Sequence, residues 1–144
     1  MGLLLAAHAG ATLFLVGVVW FVQLVHYPLY PAVGGGGFAA YERAHVRRTT
    51  RVVAPAMLVE AATGLALVLA VPPGLSRGLA VAGFVLLAVV WLSTLLAQAP
   101  CHRLLATGFD QVVARRLVET NWLRTAAWTV RGILALALVT TVAR

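Results

Sequence analysis

The chain has 144 residues, 62% of them hydrophobic and only 10% charged, with a mean hydropathy of +0.95. A soluble domain carries about 25% charged residues, so this composition excludes a water-exposed globule and predicts a membrane domain. The formal charge of +7 rests on eleven arginines and no lysine, and the single cysteine, Cys101, leaves no internal disulfide and no CxxC motif.

Residues 1–41 hold no Asp, Glu, Lys or Arg, and the run from Leu3 to Val25 exceeds the roughly 20 residues that cross a bilayer. The start, "MGLLLAAHAG", has no positive n-region, so a retained first span over 3–26 is expected rather than a signal peptide. "VHYPLYP" ends it at Pro28 and Pro31. Gly34 to Gly37 read as a flexible connector. In "FAAYERAHVRRTTR", Phe38, Tyr41, His45 and Thr49 fall at helical spacing and lead into a second span over 48–71, broken by Glu60 alone. Pro55 lies within this stretch, and membrane helices tolerate proline. "VPPGLSRG" is a short turn, and the third span covers 78–98. It exits through "APCHRLLATGFD", where Pro100 and Gly108 mark a loop. Asp110 is the expected N-cap of "QVVARRLVETNW", which continues into a fourth span over 122–143, broken by Arg131. The predicted fold is all-α: one domain over 1–144, a four-transmembrane-helix bundle. Helices 2 and 4 are expected to extend into the cytoplasm by roughly two or three turns.

Arginine placement predicts orientation. Arg43, Arg47, Arg48 and Arg51, with Arg103, Arg115, Arg116 and Arg124, flank the two long connections; Arg77 and Arg144 lie on the other side. The positive-inside rule then puts both connections in the cytoplasm and both termini outside, in a bacterial inner (plasma) membrane. Anionic lipid headgroups account for the basic clusters, and no nucleic-acid partner is expected.

The two intramembrane charges fall at one depth. At about 1.5 Å rise per residue, Glu60 lies roughly 13 Å inside a boundary at Arg51, and Arg131 roughly 13 Å inside one at Trp122. They are expected to neutralise each other. Such a pair either fixes helix docking or serves as a functional group. If it is a docking pair, each single substitution should cost folding and the swapped pair should recover part of it.

Polar residues gather toward the cytoplasmic end. Gln23 and His26 are spaced i, i+3, Tyr41 and His45 i, i+4, and Thr94, Gln98 and His102 i, i+4, i+8; Asn121, Arg124 and Trp128 continue the pattern on the fourth span. All four tryptophans, Trp20, Trp91, Trp122 and Trp128, belong to this half with Phe21, Tyr27, Tyr30 and Tyr41. An interfacial belt occupies both faces, so one-sidedness predicts an aromatic-lined pocket with the Glu60–Arg131 pair at its floor. Its substrate-binding candidates are Trp20, Gln23, Tyr27, Trp91, Gln98, Asn121, Arg124 and Trp128. Glu60, Arg131 and His45 are the catalytic candidates. His26, His45 and His102, from three helices, are candidate ligands for a metal ion or haem, although no HxxH, HxxxH, ExxH or HExxH spacing supports them. The alternative is that these histidines bond headgroups and loop carbonyls. His8, beside Thr12, reads as a local hydrogen-bonder.

The stretches "WFVQLVHYPLY", "APAMLVEAATG" and "GFDQVVARRLVETNWLRTAAWTVRG" resemble those of small bacterial four-helix membrane proteins of uncharacterised role. More distantly, size and helix layout resemble the anthrone-oxygenase-like family. That resemblance implies a membrane oxygenase or related redox role and supplies no catalytic residues. The leading expectation is therefore an oxidoreductase-like membrane enzyme acting on a hydrophobic small molecule. The alternatives are a small transporter using Glu60, or a non-catalytic scaffold subunit. Membrane lipids are the expected partners, and the small residues of "EAATG" and "TAAWTVRG" suit close helix contacts either within this chain or between copies in a homo-oligomer.

Overall fold

Proline and glycine decide where the apolar rods bend and where they end. The computed structural model describes residues 2–142. Arg144, expected on the outer side, and Ala143, the end of the fourth expected span, lie outside the described residues. α1 runs from Gly2 to Phe21 and passes into a π-helical turn, Val22–His26, and a 3-10 segment, Tyr27–Val33. Pro28 has no N–H for the carbonyl four residues back, and its ring crowds that carbonyl; a wider π turn just before it relieves the clash. The first rod therefore does not stop at Pro28 or Pro31. It stops at Gly34, whose φ of 80° is the left-handed backbone that glycine adopts without strain. Gly35, Gly36 and Gly37, expected as a flexible connector, are instead the first turn of α2.

α2 spans Gly35–Leu69 without interruption, Pro55 included. It ends two residues before the expected boundary because Pro72 and Pro73 follow. Leu75 N–H donates to the Pro72 carbonyl at 3.0 Å across Gly74, whose φ is 84°, as in a type II turn. α3, Arg77–Ser93, is capped by the Ser76 hydroxyl, which accepts from Leu79 N–H at 3.4 Å. A second π turn, Thr94–Gln98, again precedes a proline, and α4, Ala99–Leu105, continues past it. Pro100 thus sits within the rod, and the connection begins only at Ala106. α5 is Gln111–Val142, with the expected cap: Asp110 Oδ1 accepts from the N–H groups of Val112 and Val113 at 2.8 and 3.0 Å.

The protein is all-helical among the described residues, and four stretches are long and apolar enough to cross a membrane: Gly2–Val33, Gly35–Leu69, Arg77–Leu105 and Gln111–Thr141. At about 1.5 Å per residue each exceeds the ~30 Å hydrocarbon core. α5 packs against α1 and α3, and α2 against the same two, so α2 and α5 face each other diagonally. Three apolar layers stack along the axis: Leu5, Leu67 and Leu138 near the termini; Leu15, Val19, Met57, Val90 and Trp128 at mid-height; Tyr27, Tyr30, Phe38, Leu105 and Leu117 at the far end. Buried polar residues separate the layers, and those polar levels hold the chemistry.

Candidate functional site

Between the two layers nearer the termini, one polar node joins all four rods. Glu60 on α2 is fully buried. Its Oε1 accepts from Arg131 Nε and from the Thr12 hydroxyl, each at 2.9 Å, and its Oε2 accepts from Trp128 Nε1 at 3.1 Å. Arg131 Nη2 lies 2.9 Å from the same Oε1, and Nη1 donates to the Gly83 carbonyl of α3. The partnership read from depth is therefore direct, and it crosses the bundle diagonal. Each carboxylate oxygen is occupied, so little hydrogen-bonding capacity is left for another group. His8 joins the same level, its Nδ1 2.9 Å from the Thr63 hydroxyl on α2.

The large cavity lies on the other side of Trp128. α2 touches α3 and α4 but not the π turn between them. There the rods part to leave a cleft of about 460 Å³. It is lined by His45, Val46, Thr49, Thr50 and Val53 of α2 and by Thr94, Gln98, Ala99 and His102 of the third rod. Leu15, Val19 and Val22 form an apolar inner wall; Asn121, Arg124 and Trp128 of α5 complete it, and Arg43, Arg47 and Arg103 stand at the rim. The expected floor needs correction: Glu60 and Arg131 do not line this cleft. The Trp128 indole closes the space between, giving its N–H to Glu60 while its side chain lines the cleft.

Arg124 is the charged group of the inner wall. Its Nη1 donates to Asn121 Oδ1 at 3.1 Å, and its guanidinium carbon lies 4.9 Å from the Trp128 ring centroid. Its buried Nε has no hydrogen-bond partner, and among the described residues no carboxylate pairs with it. Asn121 is held in turn by Gln23: Nδ2 donates to Gln23 Oε1 at 2.7 Å, and Gln23 Nε2 donates to the Val118 carbonyl at 3.2 Å. Gln98 mirrors this from the second π turn, donating to the Thr120 hydroxyl at 3.1 Å and accepting from Ser93 at 3.0 Å. Both π turns thus aim a glutamine at α5, a rotation that a regular 3.6-residue repeat does not reveal.

The three histidines do meet. The rings of His26 and His45 stack at 4.2 Å, and His45 and His102 lie 5.7 Å apart. Both nitrogens of His102 and one of His45 are engaged: His102 Nδ1 lies 2.5 Å from Glu42 Oε1, His102 Nε2 lies 3.1 Å from the Tyr27 hydroxyl, and His45 Nδ1 lies 3.2 Å from the Thr49 hydroxyl, whereas the buried His26 Nε2 has no hydrogen-bond partner. Among the described residues no group of three or more His, Cys, Asp or Glu is arranged to hold a metal ion.

Of the substrate-binding candidates, Tyr27, Gln98, Asn121, Arg124 and Trp128 line the cleft, as does His45. Gln23 supports it from behind. Trp20 does not reach it; it meets Trp122 edge-on at 5.8 Å on the outward surface and donates to the Thr129 hydroxyl at 3.0 Å. Trp91 packs against the middle apolar layer, outside the cleft lining. Sequence reasoning missed Glu42, fully buried and bonded to His102. The signal was present: Phe38, Glu42, His45 and Thr49 make an i, i+4, i+7, i+11 stripe on one helical face. Comparison with known proteins returned no matching family model, no curated relative and no similar solved structure.

Proposed function

We propose that the chain is a multi-pass membrane protein whose cleft takes an amphiphilic small molecule from the lipid phase and holds its polar head at Arg124. One observation carries this reading. A guanidinium lines a mostly apolar cleft, and among the described residues no carboxylate pairs with it. Buried charge is expensive unless paired, and a ligand oxygen supplies the missing partner. The gap between α2 and the second π turn gives an apolar chain a lateral route, and few polar groups converging in an apolar pocket is the usual form of a small-molecule site.

The arginine asymmetry supports an orientation with the cleft toward the cytoplasm, both termini outside, and α2 and α5 extending on the cytoplasmic side of a bacterial inner membrane. Glu60 is enclosed by three hydrogen bonds and its ion pair with Arg131 behind Trp128, an arrangement that favours a structural role over proton-coupled transport. Among the described residues no His, Cys, Asp or Glu cluster supports a metal, and both nitrogens of His102 are engaged.

The test is spin-label spectroscopy of the detergent-purified protein with doxyl-stearic acid. A saturable immobilised signal is expected. Arg124→Gln should weaken binding about tenfold or more, the worth of a charge-assisted hydrogen bond, and the methyl ester should bind comparably weakly to the wild type. Equal binding in all three cases would contradict the assignment of Arg124.

A further inference from the structure

The far end of the cleft holds a second arrangement that ligand binding alone does not need. Tyr27 from the first rod, His102 from the third and Glu42 from the second form one chain: phenol oxygen to Nε2 at 3.1 Å, then Nδ1 to carboxylate at 2.5 Å. Tyr27 and His102 line the cleft, whereas Glu42 has no exposed surface. Arg124 of the fourth rod lines the same cleft as Tyr27, so all four rods contribute.

We infer that Tyr27 is a proton-transfer group toward the bound head, with His102 and Glu42 positioning and relaying behind it. This rests on the cleft-binding reading. In this relay the Glu42 carboxylate accepts from His102 Nδ1, and Nε2 faces the Tyr27 hydroxyl as its acceptor. That is the nucleophile, base and orienter logic of catalytic triads. When a head bearing an acidic O–H, or an enolisable C–H beside a carbonyl, sits at Arg124, its proton passes to the Tyr27 oxygen as the tyrosine proton passes to His102 Nε2. The products are a ligand oxyanion against the Arg124 guanidinium and an imidazolium against the Glu42 carboxylate. No electrons change hands, and the proton is stored on His102 until it returns. A donor aimed where negative charge develops is the largest single contribution in many such sites. The substrate class is therefore an amphiphile whose head carries such an acidic proton.

Hexadecylsulfonyl fluoride tests this without the natural substrate. Attack by Tyr27 forms an O–S bond, the S–F bond breaks, fluoride leaves and the phenol proton moves to His102. Intact-protein and peptide mass spectrometry read the adduct; doxyl-stearic acid binding is measured on the same samples. Labelling at Tyr27, in preference to Tyr30 and Tyr41, is expected in the wild type. It should fall about a hundredfold in Glu42→Gln, within the range of general-base contributions, and recover in part in Glu42→Asp, with binding unchanged in both. Nitrogen-15 spectra of His102 should show the Nδ1–H tautomer in the wild type and lose that preference in Glu42→Gln. Undiminished labelling in Glu42→Gln, or no Tyr27 adduct in wild type that binds the spin-labelled acid, would overturn the relay. Absence of binding in the wild type would instead overturn the cleft reading, and the relay with it.

Discussion

Replacing Arg131 by methionine isolates the node at the centre of the bundle. Methionine keeps much of the length and apolar volume but removes the guanidinium, leaving the fully buried Glu60 with Thr12 and Trp128 as its donors among the described residues. Breaking a buried pair from one side costs about 3–5 kcal/mol, and the Gly83 carbonyl loses its donor as well, adding about 1 kcal/mol. Because two neutral donors still face the carboxylate, a total near 4 kcal/mol is expected. For a chain of this size that corresponds to a Tm lower by about 15 °C. Cys101, the sole cysteine and buried, supplies the assay: a maleimide dye that fluoresces on reacting with a thiol reports exposure as the detergent-purified protein is heated. Combining Arg131→Met with Glu60→Gln removes both charges, and most of the lost stability should return, giving a coupling of about 2 kcal/mol or more. A single variant within 3–4 °C of wild type, or a double variant as unstable as the sum of the singles, would refute the reasoning. The charge-swapped pair, which the sequence suggested as a partial rescue, should not recover stability. An arginine at position 60 would face the Thr12 and Trp128 donors, and a glutamate at 131 would face the Gly83 carbonyl.

Three further outcomes follow from the same geometry. Trp128→Phe keeps an aromatic wall but removes a donor to Glu60, so Tm should fall by the equivalent of about 1–3 kcal/mol while doxyl-stearic acid binding persists. Gly132→Leu should destabilise by about 1–3 kcal/mol in the same dye assay, because even a Cβ at Gly132 lies 3.2 Å from Val16 Cγ2 and 3.5 Å from Leu13 Cδ2 on α1. In a Cys101→Ala background, Ser76→Cys should react with a membrane-impermeant maleimide from outside intact cells and Arg48→Cys only after lysis; the reverse would invert the orientation.

What the sequence disclosed and what it hid have separate causes. The spans were legible because bilayer length and apolar composition constrain them together, and the Glu60–Arg131 pair was legible because each is the lone charge of its span. Asp110 announced α5 through its own side chain. The π turns were not legible: Pro28 and Pro100 read as stops, whereas membrane-length rods absorb a proline by widening the turn before it. That one difference carries α4 to Leu105 and brings His102 to Glu42. Trp20 erred the other way: its one-sided company suggested a pocket wall, but its position on α1 turns it toward lipid, with 37% of its surface exposed.

The central claim is that the cleft between α2 and the second π turn holds an amphiphile by its head. A fatty acid carrying a photoreactive diazirine in mid-chain, cross-linked to the purified protein and mapped by peptide mass spectrometry, tests it most directly. The account predicts adducts on cleft residues such as Thr50, Val53 and Ala99, displaced by excess oleate and reduced in Arg124→Gln. Adducts spread over outward residues such as Leu58, Leu92 and Leu136, undiminished by oleate, would contradict it.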